Sequence, residues 1–244
     1  MRLQQRRINH LPITRSLGPF GHLHRLKPFR PLFGWGHGQC IDRYYTEKFL
    51  AAYQADIHGR VLEVGNNTYT RRFGGAKVVR SDILHVNSDN PRATIVADLS
   101  CADNAIPSDT FDCILLTQTL EVIYKTRRAI RTLHRILKPG GILLATLPGI
   151  RQVSRPDMES WGEYWRFTTL STSKLFGEVF APCDITIQAY GNVLAAVAFL
   201  HGIVAEELKP EELDYYDRDY EFLITVRAAK SRNDGESSAE LSSK

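Results

Sequence analysis

Several patterns that would place the chain in a common class are missing from its 244 residues. The four cysteines, Cys40, Cys101, Cys113 and Cys183, form no C-x-x-C pair, which predicts reduced thiols and neither a zinc site nor a disulfide framework. No apolar stretch is long enough to span a membrane, and no hydrophobic signal core follows the N-terminal arginines. We therefore expect a cytoplasmic protein.

Both common glycine-rich phosphate loops are also missing. A dinucleotide-binding fold needs G-x-G-x-x-G so that backbone N–H groups can approach a pyrophosphate. The segment that follows Gly65 reads Asn-Asn-Thr-Tyr-Thr-Arg-Arg, with no glycine at the required offsets, and G-x-x-x-x-G-K-[ST] occurs nowhere. The sequence therefore argues against a nicotinamide or flavin cofactor.

An apolar run that ends in glycine, Arg60-Val-Leu-Glu-Val-Gly65, is the most informative feature present. It predicts a buried parallel strand that stops at a tight turn, where open α/β sheets bind nucleotides. A second run, residues 77–82, ends in Asp82, 19 positions after Glu63. This spacing predicts an acid at the tip of the neighbouring strand, where it accepts from both ribose hydroxyls. A ribose acid without a phosphate cradle favours an adenosine that lacks phosphates, and S-adenosylmethionine fits that description.

Further motifs follow in a recognisable order. Ala97-Asp98-Leu99 closes a strand over residues 93–97, and residues 111–117 form a strand before Gln118-Thr-Leu-Glu-Val122, which opens a helix. Residues 137–141, Leu-Lys-Pro-Gly-Gly, lead into a strand over 142–146. In this order the motifs resemble the class I S-adenosylmethionine-dependent methyltransferases, specifically the bacterial type 11 branch, over roughly residues 58–228. The resemblance implies an α/β fold: a Rossmann-like, seven-stranded, mostly parallel sheet with an antiparallel last strand and helices on both faces.

The resemblance also implies which residues bind the cofactor. They lie in the loop after the first strand and at the ends of the next three: Glu63, Gly65, Asn66, Asn67, Asp82, Ile83, Asp98, Leu99, Thr117 and Gln118. In this scheme Glu63 supports the loop under the methionine part, Asp82 takes the ribose, and Asp98 accepts from the adenine amino group. The sequence departs from the family where Asn67 replaces the usual second glycine and Val122 replaces a usual histidine.

The acceptor side is less sharply defined by the sequence. Methyl transfer from a sulfonium mainly requires alignment and exclusion of water, and a hydroxyl acceptor also needs a base. The aromatic segment 161–168 follows a strand end, so it would either contact the acceptor or plug the core beneath the next helix. Candidate catalytic residues in the acceptor segments are Glu163, Tyr164 and His201, with Asp157 as a further candidate base. Because no cluster has recognisable metal spacing, we predict no metal site.

Charge and composition divide the chain into three parts. Residues 1–30 hold seven Lys or Arg and no acid, whereas the remainder carries 24 basic and 27 acidic residues, a net charge of −3. We predict a basic, partly disordered leader over 1–40, a methyltransferase domain over 41–230 and a disordered, serine-rich tail over 231–244. The leader would be a solvated arm, or would contact an anionic membrane weakly or a phosphate-bearing substrate; a body without basic excess argues against nucleic acid. A helical insertion over 191–216 would line the acceptor pocket, form a homodimer face or lie buried.

The predicted function is metal-free, in-line methyl transfer from S-adenosylmethionine to a small-molecule, glycan or lipid-linked acceptor. The alternative is a catalytically silent cofactor-binding or scaffold protein with the same fold, because the loop after Gly65 departs from the usual pattern.

Overall fold

A computed structural model describes residues 25–103 and 105–232, which form one seven-stranded sheet. The spatial order of the strands is β3-β2-β1-β4-β5-β7-β6, and only β7 runs antiparallel to its neighbours. The strands are β1 (Gly59–Val64), β2 (Val78–His85), β3 (Ile95–Val96), β4 (Phe111–Thr117), β5 (Leu137–Pro148), β6 (Ile185–Tyr190) and β7 (Leu223–Ala229). The predicted sheet, including its reversed last strand, is confirmed.

The helices cover both faces of this sheet. They are α1 (Ile41–Ala52), α2 (Thr126–Ile136), α3 (Arg155–Ser160), α4 (Thr169–Gly177), α5 (Val193–Leu200) and α6 (Pro210–Asp214). The connection from β1 to β2 holds only a π-helical turn (Thr70–Gly74) and a 3-10 turn (Gly75–Lys77).

The side chains of the central strands alternate between the two faces of the sheet, and each face packs into its own apolar cluster. In β1, Leu62 packs into the cluster that includes α2 and α4, whereas Val61 packs into the cluster that includes Phe49 and Leu50 of α1. Successive side chains of a strand point to opposite faces, so a strand that is apolar at every position buries both faces. The central strands are therefore fixed from both sides, which makes their carboxyl ends a rigid platform.

The helix predicted to open at Gln118 begins later than expected. Gln118 has a φ of +46°, outside the helical region, and its N–H still donates to the Thr146 carbonyl of β5 at 3.0 Å. A short 3-10 turn follows (Leu120–Val122), and α2 starts only at Thr126. The chain therefore turns sharply at the strand end, through a non-glycine residue held at a positive φ.

The insertion between β6 and β7 is mainly a buried helix. Phe199 of α5 packs with Ile41 and Tyr45 of α1 in one apolar cluster. Asn192 caps α5 through its Oδ1, and its Nδ2 donates to two carbonyls near α6 at 2.8 and 2.7 Å. No residue of 191–216 lines either of the two cavities described below.

The predicted leader divides into two parts. Residues 30–40 pack on the insertion: Arg30 pairs with Glu207, its N–H donates to the His201 carbonyl at 3.0 Å, and the Ala205 N–H donates to the Gln39 carbonyl at 2.8 Å. Residues 1–24 and 233–244 lie outside the described residues, so the expectations for the basic arm and for the tail remain predictions. Within the described ranges, no helix has the length and apolarity needed to cross a membrane.

Candidate functional site

The loop after β1 is held in shape by its neighbours. Gly65 has a φ of +81°, its N–H donates to the Leu84 carbonyl at 2.9 Å, and its own carbonyl accepts from Asn90 Nδ2 at 2.6 Å. The Glu63 carboxylate accepts from the N–H groups of Tyr69 and Thr70 at 3.2 and 2.8 Å. No atom outside the immediate chain lies within 4 Å of where a Gly65 side chain would begin. The Gly65 backbone therefore faces open space, and Glu63 supports the loop.

A cavity of about 720 Å³ lies over the carboxyl ends of β1, β2 and β4. Five of the predicted cofactor residues line it: Gly65, Asp98, Leu99, Thr117 and Gln118. Asp98 stands at the far end, where its carboxylate accepts from the Ser100 N–H at 2.7 Å. The cavity also has an aromatic wall, formed by Tyr124, Trp161 and Tyr164.

Asp82 is not in this cavity, contrary to the role predicted for it. The strand runs three residues past it to His85, and the register pairs Leu62 with Asp82 and Val64 with Leu84. The carboxylate is 1% exposed and is bound by Arg60 at 2.7 Å and Arg80 at 3.1 Å, with Thr94 at 3.1 Å. Burial alone would raise the pKa of Asp82, but these hydrogen bonds outweigh it and hold the pKa below its usual value. Asp82 is therefore a buried ion held by two arginines, and it does not line the cavity in which the predicted ribose role would place it.

His85 occupies the strand tip where an acid was expected. Its ring lies edge-on to Trp161, with centroids 5.3 Å apart, and its Nδ1 is 2.9 Å from the Asn87 carbonyl. Both His85 and Asn87 line the cavity. The signal for this shift was present in the sequence, because the apolar pair Ile83-Leu84 continues the strand after Asp82.

We expect Asp82→Asn to lower stability and to leave cofactor affinity unchanged. The substitution removes the partner of two arginines that are partly exposed, so the free energy of unfolding should fall by about 1–2 kcal/mol. Urea unfolding would measure that loss. Calorimetric titration with S-adenosylhomocysteine should give a dissociation constant within about twofold of wild type. A dissociation constant about ten times higher in a folded variant would contradict this expectation and support Asp82 as the acid that binds the ribose.

Three other predicted cofactor residues lie beside the large cavity without lining it. Ile83 is 5% exposed, and its N–H donates to Thr94 Oγ1. Asn67 donates through Nδ2 to Ser81 Oγ at 3.2 Å, while Asn66 accepts from the Thr68 N–H at 2.9 Å. Neither asparagine has a positive φ, so the left-handed position of this turn is Gly65. Asn66 and Glu63 line a second cavity instead.

The second cavity, of about 500 Å³, lies between the β1 loop and residues 32–46. Its roof is formed by Leu32, Phe33 and Trp35 of the packed leader segment, and α1 contributes Asp42 and Arg43. The Arg43 guanidinium lies 4.4 Å from the centre of the Trp35 ring. This cavity therefore combines aromatic surfaces with charges of both signs.

Arg151, on the wall of the second cavity, is the centre of a buried charge network. Arg151, whose side chain is 9% exposed, donates through Nη1 to Glu121 at 3.2 Å and to Gln118 Oε1 at 3.0 Å. Its Nε lies 3.8 Å from Glu163, which also binds Arg166 at 2.6 Å. Burial raises the pKa of Glu121 to about 7, against the opposing charge of Arg151. The network links residues that are 30 positions apart in sequence.

The four predicted catalytic residues differ in whether they line a cavity. The Glu163 carboxylate is 1% exposed and is committed to Arg166 and to the Ser154 N–H, so it faces neither cavity. His201 ends α5 and packs on Phe29, away from both cavities. Tyr164 lines the large cavity and is half exposed. Asp157 lines both cavities. Of the four candidates, Tyr164 and Asp157 therefore line a cavity, whereas Glu163 and His201 line neither; the catalytic roles stay predictions.

Among residues 25–103 and 105–232, no group of three or more His, Cys, Asp or Glu side chains is arranged to hold a metal ion.

This chain is similar to known methyltransferases in sequence and in fold. A family model described as a methyltransferase domain matches residues 36–176, more than half of the chain. The ubiquinone/menaquinone biosynthesis C-methyltransferase UbiE of Pasteurella multocida (strain Pm70) is 30% identical over 73 residues, which are 30% of this chain and 25% of that protein. The matched region thus spans only about a quarter of this curated relative.

Two solved structures share the fold at low sequence identity. An S-adenosylmethionine-dependent methyltransferase from Mesorhizobium loti aligns with a TM-score of 0.52 and 18% identity, over 78% of this chain and 99% of its own. The [4+2]-cyclase SpnF aligns with a TM-score of 0.51 and 20% identity, over 79% of this chain and 82% of its own. These likenesses show the fold alone.

Proposed function

The chain belongs to the methyltransferase domain family, and on that premise we propose that it transfers the methyl group of S-adenosylmethionine to a small-molecule, glycan or lipid-linked acceptor. The observation that carries this proposal is the pair of adjoining cavities at the carboxyl ends of β1 and β4, one beside the Gly65 backbone and one beneath the leader segment. A two-substrate reaction needs room for both partners at a common point.

The residues around the large cavity fit an adenosine. In our proposal the adenine lies against Leu99, with Asp98 accepting from its amino group, and the ribose lies between Gly65 and His85. The open space beside the Gly65 backbone supports this assignment, because any side chain there would enter the space that the ligand needs. The methionine part would extend past Thr117 toward Asn66 and Arg43 in the second cavity.

When bound, S-adenosylmethionine supplies an electrophilic methyl carbon on a positively charged sulfur. The chain's own task is then to orient the acceptor along the line of the breaking bond and to exclude water. Gln118 and Thr117, at the tip of a strand buried on both sides, hold the transfer point rigidly. Phe33 and Trp35 cover the second cavity and offer flat surfaces to a sugar ring or another partly apolar acceptor.

Cofactor binding tests the proposal directly. Calorimetric titration of wild type with S-adenosylmethionine and S-adenosylhomocysteine should give micromolar dissociation constants, which correspond to a binding free energy of about −8 kcal/mol. Asp98→Ala should weaken both about tenfold or more, because a hydrogen bond to a charged group contributes roughly 1.5–3 kcal/mol. Asp103→Ala is the matched control: this acid is 82% exposed, lies on the same loop and does not line the large cavity.

A transfer assay completes the test. Wild-type protein would be incubated with methyl-labelled S-adenosylmethionine and a panel of glycosides, nucleotide sugars, phenols and amines. Transfer of the labelled methyl group to a member of the panel would establish that the protein is a methyltransferase. Failure of the wild type to bind either cofactor form would instead favour the silent scaffold.

A further inference from the structure

The two cavities meet at four residues. Val64, Thr117, Gln118 and Asp157 line both of them. If the adenosine occupies the large cavity and the second cavity holds both the methionine part and the acceptor, the sulfur and its methyl group lie beside these four side chains. Asp157 is the one titratable group of the four.

The Asp157 carboxylate makes a long ion pair at this junction and no hydrogen bond. Its side chain is 44% exposed, and Arg151 Nη2 lies 4.0 Å away, within ion-pair distance but beyond hydrogen-bond distance. The residue sits in the first turn of α3, where its N–H is fixed by the Ser154 side chain that caps the helix. The helix therefore sets the position of Asp157, and its carboxylate remains available to a ligand.

Gln118 supplies the complementary donor. Its Oε1 accepts from Arg151 at 3.0 Å, which fixes the amide so that Nε2 points the other way. Nε2 is buried and finds no hydrogen-bond partner within the described part of the chain. An unpaired buried donor at a strand tip with a strained φ of +46° indicates a group that is paired only when a ligand is present.

From this arrangement we infer that Asp157 and Gln118 form the reaction centre, and that the acceptor is a hydroxyl group: Asp157 takes its proton while Gln118 Nε2 donates to its oxygen. The inference rests on the proposed function and names the acceptor atom for it. A hydroxyl oxygen has two lone pairs, so it can accept from Gln118 and still attack with the other. A neutral amine has a single lone pair, which Gln118 would occupy, and an ammonium has none.

The atoms balance without a further reactant. A bond forms between the acceptor oxygen and the methyl carbon as the carbon–sulfur bond breaks, and its electron pair stays on sulfur. The hydroxyl proton passes to the Asp157 carboxylate and then to solvent, which reaches this half-exposed side chain. Arg151 holds Gln118 in place, and Glu121 holds Arg151.

Sinefungin tests the position of Asp157 without needing an acceptor. In this analogue a carbon bearing an amine replaces the sulfonium and its methyl group, so the ammonium reports what faces the transferred methyl. We expect Asp157→Asn to weaken sinefungin binding about tenfold in calorimetry and to change S-adenosylhomocysteine binding less than about twofold. Glu159→Gln, an exposed acid on the same helix that lines neither cavity, should change neither constant.

The outcomes separate the two proposals. If wild type binds neither ligand, the proposed function fails. If both bind and Asp157→Asn leaves the ratio of the two constants at the wild-type value, the reaction centre is wrong while the function stands. For the acceptor found in the transfer assay, mass spectrometry would locate the methyl group: an ether oxygen supports the inference, and nitrogen or carbon overturns it. With that acceptor, Asp157→Asn should reduce kcat at least about 100-fold.

Discussion

Replacing Arg151 with methionine should lower the free energy of unfolding by about 3–5 kcal/mol, the usual cost of leaving a buried charge without its partner. The side chains of Glu121 and Glu163 are 2% and 1% exposed, and Arg151 is the cation between them. Methionine keeps the length of the side chain but cannot neutralise Glu121 or donate to Gln118, whereas Glu163 keeps its ion pair with Arg166. Urea unfolding near neutral pH would measure the loss.

A matched surface substitution controls for the removal of charge. Arg127 pairs with Glu178 at 2.9 Å, but its side chain is 65% exposed, so Arg127→Met should cost no more than about 1 kcal/mol. Adding Glu121→Gln to Arg151→Met should restore part of the loss, because one uncompensated acid disappears. Equal costs for Arg151→Met and Arg127→Met would show that the network contributes nothing beyond an ordinary surface pair.

The sheet could be predicted from local sequence because its strands carry their own signals. The apolar run of β4 is bounded by polar residues, and its predicted limits, 111–117, match the structure. The predicted end of β2, at Asp82, falls three residues short of the observed end at His85, because an acid after an apolar run resembles a strand tip. Burial of an acid against two arginines depends on Arg60 of the neighbouring strand, which the local sequence of β2 does not reveal.

The cofactor side of the site can be predicted better than the acceptor side, because its residues follow from local sequence whereas the acceptor side depends on distant contacts. Gly65 and the pair Asp98-Leu99 follow directly from strand ends, so their place at the cavity comes with the fold. The second cavity instead needs contacts between distant segments: the leader segment packs on an insertion some 170 positions later, through Arg30 and Glu207. Such contacts leave no periodic signal, and they also decide that His201 faces away from the site.

The stability of the wild type should fall as pH rises from about 4.5 to about 7, through the titration of Glu121. In the unfolded chain this carboxyl has an ordinary pKa of 4.5, and burial raises its pKa to about 7 in the folded protein. Between these values the folded state binds more protons than the unfolded state, so each rise in pH favours unfolding. Over the whole window the loss would reach about 3 kcal/mol.

Glu121→Gln isolates this contribution, because glutamine has a similar shape and does not titrate. Measured by urea unfolding at pH 5 and pH 8, the difference in stability between variant and wild type should shift by up to about 3 kcal/mol in favour of the variant at the higher pH. Leu120→Ala, at the buried apolar neighbour, should destabilise the protein equally at both pH values. A Glu121→Gln difference that is the same at pH 5 and pH 8 would mean that Arg151 keeps Glu121 ionised throughout, since only a proton held by the folded carboxyl can make the difference depend on pH.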